Sequence, residues 1–169
     1  VLIAPDGEVA GEYRKVHLPA EERLVFRPGY QIKPIETEMG MLGIMTGWDL
    51  AFPEVARSLM LGGAEVILLP AAWQMQDVDM WRTLLVARAY ENDIFIAAAN
   101  RIGEEPSYSF AGQSAVLSPS GEVLAALEEP EEGYVVVRLD LDEVRHRREE
   151  SQIMLARQPG SYRPVVKKY

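Results

Sequence analysis

The sequence predicts a mixed α/β domain built around parallel strands. Apolar runs of strand length alternate with helix-period segments between residues 41 and 100, and those runs are continuously apolar rather than alternating. Strand-helix-strand alternation of this kind requires right-handed crossovers between parallel neighbours, and continuous apolarity implies cover on both faces. At 169 residues the chain is long enough for one such domain and too short for two, so 1–169 is expected to be a single domain.

Each element has its own justification. "VLIA", the turn "PDGE" and "VAGEYRKV" predict a hairpin, because Asp-Gly between apolar runs is a strong turn signal, and Lys15 leaves its far end. Residues 18–40 carry Pro19, Pro28, Gly29 and Pro34 and are expected to be loop-rich. "MLGIMT" predicts a buried strand near 42–46, and Phe52, Val55, Ala56, Leu59 and Met60 a helix near 53–62, with Pro53 in its first turn and Gly62-Gly63 as its stop. "AEVILLP" predicts a strand near 65–69. Trp81, Leu84, Leu85 and Arg88 fall on one stripe of a helix near 78–92, and "DIFIAAAN" predicts a strand near 94–99. Beyond Arg101, "SAVLSPSGEVLAAL" predicts an antiparallel hairpin, "GYVVVRLDL" a further strand, and "DEVRHRREESQIMLARQ" a solvated helix; "PGSYRPVVKKY" is a tail.

Composition narrows the function. A net charge of -9 opposes any electrostatic grip on phosphates, so nucleic acid and anionic membranes are poor partners and a small molecule is the expected one. No apolar run approaches the roughly 18 residues that span a bilayer, and no basic segment precedes an apolar one, so the expectation is a cytoplasmic chain. The absence of cysteine excludes disulfides, thiolate metal sites and a cysteine nucleophile. His17 and His146 alone cannot form a histidine-rich metal centre, and no cofactor is implied.

Open parallel sheets place their sites at the carboxyl ends of the strands. Thr46, Gly47, Trp48 and Asp49 lie at one such end, and Ala71, Ala72 and Trp73 at the next; two neighbouring ends can line one pocket, or both can be ordinary connections with the tryptophans as core aromatics. The segments "EYRKVHLPAEERLVFRPG", "GIMTGWDLAFPE", "GGAEVILLPAAW", "ARAYENDIFIAAANRIG" and "FAGQSAVLSPSGEVLA", in this order, resemble the carbon-nitrogen hydrolase, or nitrilase, superfamily over essentially the whole chain. The resemblance implies a nitrilase-like α-β-β-α sandwich and hydrolysis of small amides, carbamoyl compounds or nitriles through a covalent thioester or thioimidate. On it, Lys15 matches the catalytic lysine, which stabilises charge on the tetrahedral intermediate. Glu22 matches a glutamate that positions the lysine or the substrate, with the adjacent Glu21 as the alternative register. The amide of Trp48 matches the oxyanion donor, and Trp48, Asp49, Ala72 and Trp73 are the candidate substrate-binding residues, although Asp49 and Glu54 suit fixing the turn and capping the helix. Glu91 matches a structural glutamate.

Two departures from the family pattern stand out. Gly47 occupies the position of the nucleophilic cysteine, and glycine has no nucleophile. The family's first strand and helix, its glutamate base and a further helix and strand do not precede Val1, so the chain corresponds to about the last two thirds of a family domain and its sandwich is expected to be incomplete. The uncovered apolar surface, with the family's habit of pairing, implies a homodimer or higher oligomer, with "GSYRPVVKKY" as the candidate crossing segment. Two functions follow: a carbon-nitrogen hydrolase that is inactive as this chain stands, or a noncatalytic binding or assembly subunit on the same scaffold. Ser114 or Ser118 with His17 has no spacing that supports a serine triad.

Overall fold

A computed structural model describes residues 1–19 and 21–167. The chain opens with β1 (Leu2–Ile3) and β2 (Val9–Gly11), continues through the short α1 (Glu22–Val25), and reaches β3 (Ile35–Thr37) and β4 (Gly40–Ile44). After a 3₁₀ turn at Gly47–Ala51 come α2 (Pro53–Leu61), β5 (Val66–Ala71), a second 3₁₀ turn at Met75–Asp77, α3 (Val78–Asn92) and β6 (Phe95–Asn100). The hairpins β7 (Ile102–Glu105) with β8 (Tyr108–Ala111), and β9 (Ala115–Leu117) with β10 (Val123–Ala126), precede α4 (Leu141–Glu150), α5 (Gln152–Leu155) and a 3₁₀ segment at Pro159–Val166.

Six strands form the main sheet in the order β10-β9-β6-β5-β4-β3. Strands β4, β5 and β6 run parallel, with Leu42 beside Val66 and Val66 beside Phe95, while β3 and β9 join their neighbours antiparallel. The register aligns the carboxyl ends of β4 and β5, which brings the turn at Gly47 next to the loop at Ala72.

The period-2 pattern of the strands decides which helix covers which face. Ile67, Leu69, Ile96 and Ala98 point to one side, where Val55, Ala56 and Leu59 of α2 and Trp81, Leu85 and Ala89 of α3 complete a single buried cluster. The spacing that predicted these helices is the spacing of their buried residues. Proline at the start of α2 supplies a preset φ, and Asp93, in left-handed conformation at φ 45°, ends α3. Leu42, Val66 and Phe95 point to the opposite side and meet Val144 of α4.

That second face corrects two expectations. "GYVVVRLDL" forms no strand: it lies over this face of the sheet, with Tyr134 and Val135 near Leu68 and Ala97, and Leu139 and Leu141 against the Val144 cluster. The segment 142–158 is not one solvated helix. It breaks at Ser151, whose hydroxyl caps α5, and α4 is docked by the fully buried Val144 and by a set of arginines. Arg145 donates to Glu65 at 3.0 Å, Arg147 to Asp93 at 3.3 Å, and Arg148 to the carbonyl of Ala64 at 2.6 Å. The hairpin β7-β8 and the strand β3 add to the expected elements, and the first hairpin is shorter than expected, so Lys15 lies four residues beyond β2. Of the tail, Lys168 and Tyr169 lie outside the described residues.

Val144→Ala therefore tests the docking of α4. Removing two methyl groups from a fully buried site should cost about 1.5–3 kcal/mol in urea unfolding, whereas a solvated helix would lose less than about 0.5 kcal/mol.

Candidate active site

Alternation along the chain builds one side of the site. Tyr13, Lys15 and His17 follow β2 at every second position; Tyr13 and His17 reach the same partner, and Lys15 lies between them. The partner is Asp49, which is fully buried. Its Oδ2 accepts from the Tyr13 hydroxyl at 2.7 Å and from the Thr46 amide at 3.2 Å, and its Oδ1 from the His17 amide at 2.9 Å. His17 Nδ1 lies 3.0 Å from Oδ1; a carboxylate only accepts, so this nitrogen carries the proton. The His17 ring stacks on Phe52 at 3.6 Å between centroids. Burial, reinforced by the bond to Asp49, pushes the Tyr13 phenol far above its ordinary value.

The Lys15 ammonium meets both oxygens of Glu22 at 2.7 Å. Glu21 instead accepts from the Tyr108 hydroxyl at 2.7 Å, at the tip of the β7-β8 hairpin, so Glu22 is the glutamate that faces the lysine. The backbone of Lys15 is held as well, since the Gly29 amide donates to its carbonyl at 2.8 Å. A β-carbon at residue 29 would collide with the Arg14 carbonyl oxygen, which explains the glycine.

Opposite Lys15 stands Gly47, at φ +49°, a left-handed conformation reached easily only without a β-carbon. A β-carbon there would meet nothing closer than Lys15 Nζ at 3.6 Å. The first bond inside this turn runs from the Asp49 amide to the Thr46 carbonyl at 3.1 Å, which leaves the amides of Gly47 and Trp48 at the open amino end. Arg88 buttresses the turn from below, donating to the carbonyls of Leu50 at 3.1 Å and Ala51 at 3.3 Å and pairing with Glu91.

Lys15, Glu22, Gly47, Trp48, Ala72 and Trp73 line one cleft of about 580 Å³, continued by Gln74, Gln76 and Asp77. Trp48 and Trp73 stack at 5.5 Å. The structure thus gathers every sequence-predicted site residue around one opening except Asp49, which lies beneath it and lines none of it because both its oxygens are committed to Tyr13, His17 and Thr46. Tyr13 and Asn100 are additions. Buried Asn100 accepts from the Trp73 amide at 2.7 Å and donates to the carbonyls of Trp73 and Gly112, so it fixes the second wall. A polar residue closing the apolar run "FIAAAN" was the available signal. Among the described residues no group of three or more His, Cys, Asp or Glu side chains could hold a metal ion.

The sequence pattern of the carbon-nitrogen hydrolase family matches residues 1–149. The chain belongs to the carbon-nitrogen hydrolase family. It is 41% identical to a probable nitrilase of Schizosaccharomyces pombe, covering 86% of this chain and 53% of that one. To the N-carbamoylputrescine amidase of Arabidopsis thaliana it is 32% identical over 98% of this chain and 62% of that protein. A crystal structure of a carbon-nitrogen hydrolase from Helicobacter pylori superposes with a TM-score of 0.91 at 32% identity, covering 97% of this chain and 64% of the other. The α/β architecture is therefore that of a carbon-nitrogen hydrolase, and this chain spans between half and two thirds of the length of these relatives. Among the described residues no helix is long and apolar enough to cross a membrane.

The Asp49 cluster makes a pH prediction. Because the folded Tyr13 phenol is held above the unfolded value of about 10, the folded state keeps a proton that the unfolded state loses, so the Tyr13 contribution is complete below about pH 10 and falls as pH rises beyond it. Tyr13→Phe should cost about 1–3 kcal/mol at neutral pH, by leaving a buried carboxylate oxygen one donor short, and should flatten the alkaline loss of stability in denaturant titrations.

Proposed function

We propose that this chain is the carboxyl-terminal part of a hydrolase of small, non-peptide carbon-nitrogen bonds, a single domain over residues 1–169 that is disarmed at position 47. The observation that carries the reading is the vacant direction at Gly47: a side chain there would project toward Lys15, beside the open amides of the turn. In the reaction that the family resemblance implies, a thiolate at this position attacks the substrate's carbonyl or nitrile carbon. The Lys15 ammonium and the Trp48 amide stabilise the charge that develops on the substrate heteroatom, the C–N bond of an amide breaks with the amine leaving protonated, and water then cleaves the thioester. Glu22 holds Lys15 in place for that role. The amidase and nitrilase relatives support a small amide, carbamoyl compound or nitrile as the substrate class. Glycine offers no electron pair for the first step, so the chain as it stands should show no turnover of any of these compounds.

Gly47→Cys tests the preorganisation of the site. Left-handed φ should cost the mutant ~1 to 2 kcal/mol in stability. The introduced thiol, beside the open turn and the Lys15 ammonium, should have a pKa below the usual value of about 8.5 and react with iodoacetamide faster than a free thiol at about pH 7. A rate no faster than that of a free thiol in the folded mutant would favour the noncatalytic binding or assembly subunit.

Pairing with a second copy belongs to the same reading. It is supported by the exposed Leu61, Ile153, Val165 and Val166 around the groove between α2 and the carboxyl-terminal segment. Light scattering at micromolar concentration should report at least twice the monomer mass; a compact monomer would contradict it.

A further inference from the structure

Glu22 sits on a segment that packing does not hold. Between buried Leu18 and buried Gly29 the chain forms the four-residue α1, which has no buried side chain, and Leu24, Val25 and Phe26 are 86%, 77% and 62% exposed. A short helical turn without a buried face gains nothing from the core that would fix its place. Its local bonds only fold it on itself: Arg23 Nε donates to the Leu18 carbonyl and the Phe26 amide to the Glu22 carbonyl, both at 2.8 Å. Yet Glu22 reaches Lys15 with both oxygens at 2.7 Å. That ion pair is itself open to water, with side chains 18% and 35% exposed, and a pair of this kind holds little alone.

Among the described residues, one other side chain from a distant element bonds to this turn. The Tyr108 hydroxyl donates to Glu21 Oε2 at 2.7 Å, across 87 positions of sequence. The hairpin that carries Tyr108 is fastened in its turn: Phe110, in the same strand β8, is 6% exposed, pairs with Gln74 through the backbone, and lies under the Arg101 guanidinium at 4.3 Å. Glu22 and Gln74 both line the cleft, whereas Glu21, Tyr108 and Phe110 do not. These three residues therefore join the two walls from outside the lining. The Glu21 carboxylate also raises the Tyr108 phenol above its ordinary value, so the hydroxyl keeps its proton and remains a donor.

We propose that Tyr108 is a positioning residue: its bond to Glu21 fixes the α1 turn so that Glu22 keeps both oxygens on the Lys15 ammonium. The adjacent glutamates divide the work, Glu21 facing the hairpin and Glu22 the lysine. What Lys15 then does for a substrate rests on the hydrolase reading, but the tie from Tyr108 to Lys15 does not.

Lys15 itself reports on the tie, in the chain with Gly47 in place, through its rate of acylation by trace acetic anhydride; peptide mass spectrometry reads the rate, with the exposed Lys33 as internal reference. An ammonium held on two carboxylate oxygens has no free electron pair for the reagent, and loosening Glu22 releases it. Tyr108→Phe removes the donor but keeps the ring, and should raise Lys15 acylation relative to Lys33 by about two- to fivefold, the factor that one solvent-open hydrogen bond to a charged group supplies. Glu21→Ala should give the same rise, and the double variant no more than either alone, because both changes remove one interaction. Glu21→Gln keeps a side-chain oxygen that accepts from the hydroxyl and should preserve most of the protection. A Lys15 rate unchanged in Tyr108→Phe, a rise shared by Lys33, or single effects that multiply in the double variant would each overturn the proposal. In the Gly47→Cys background, Tyr108→Phe should also slow iodoacetamide labelling at about pH 7 by about twofold or more, since the thiolate loses a fixed ammonium beside it. Slow labelling of Gly47→Cys itself with the Lys15 result intact would remove the hydrolase reading and leave this one standing; fast labelling with an unchanged Lys15 rate would do the reverse.

Discussion

A carboxylate with no exposed surface sets the terms for everything around the cleft. Moving a lone ionised carboxylate out of water costs several kcal/mol, which only a full set of donors can offset. Asp49 has two oxygens with about four acceptor positions, and Tyr13, Thr46 and both nitrogens that His17 offers supply four donors. Those donors come from two separate stretches of chain. Satisfying the carboxylate therefore pins the segment 13–17, which carries Lys15, to the turn 46–49, which carries Gly47, and neither can shift without leaving a buried oxygen unpaired. Phe52, stacked on His17, extends the same constraint to the start of α2.

The second wall is held by analogous means. Asn100 closes β6 and spends its amide on the backbone of Trp73 and Gly112, so the loop after β5 is tied to the end of the neighbouring strand as well as, through Trp73 Nε1 and the Asp77 carbonyl, to the start of its own helix. Trp73 then touches Trp48 on one side and Trp81 on the other, which joins the cleft to the core cluster under α3. The cleft is thus a rigid edge of the hydrophobic core, with buried polar groups as its fasteners.

How much of this was legible in the sequence follows from how local each signal is. Strands β4 to β6 and helices α2 and α3 declare themselves by period, because their burial is dictated by the sheet face they cover. The Tyr13, Lys15, His17 alternation was visible, and so was the carboxylate at 49; that the first and third of these residues meet Asp49 was not, since the pairing spans more than 30 positions. Asp49 was expected both at the turn and in the binding wall, and only its burial separates the two. Helix α4 misled for a different reason. Seven of the ten residues in "LDEVRHRREE" are charged, which is the composition of a solvated face, yet all three of its arginines find acceptors just before β5 and β6 and one valine fills the gap. "GYVVVRLDL" has the composition of a strand, but it packs over a face of the sheet instead of pairing with an edge.

The conformation of residue 47 gives the cleft its ambiguity. Left-handed φ is easy for glycine and strained by ~1 to 2 kcal/mol for any residue with a β-carbon, so a reactive side chain at this position persists only where its surroundings hold the turn. Here the surroundings still hold it. The Thr46 amide is bound by Asp49, the carbonyls of Leu50 and Ala51 by Arg88, and the space in front of residue 47 remains open toward Lys15. The turn is thus held on both sides of residue 47 by side chains from other elements, while the space in front of it faces a lysine that is itself held by both oxygens of Glu22.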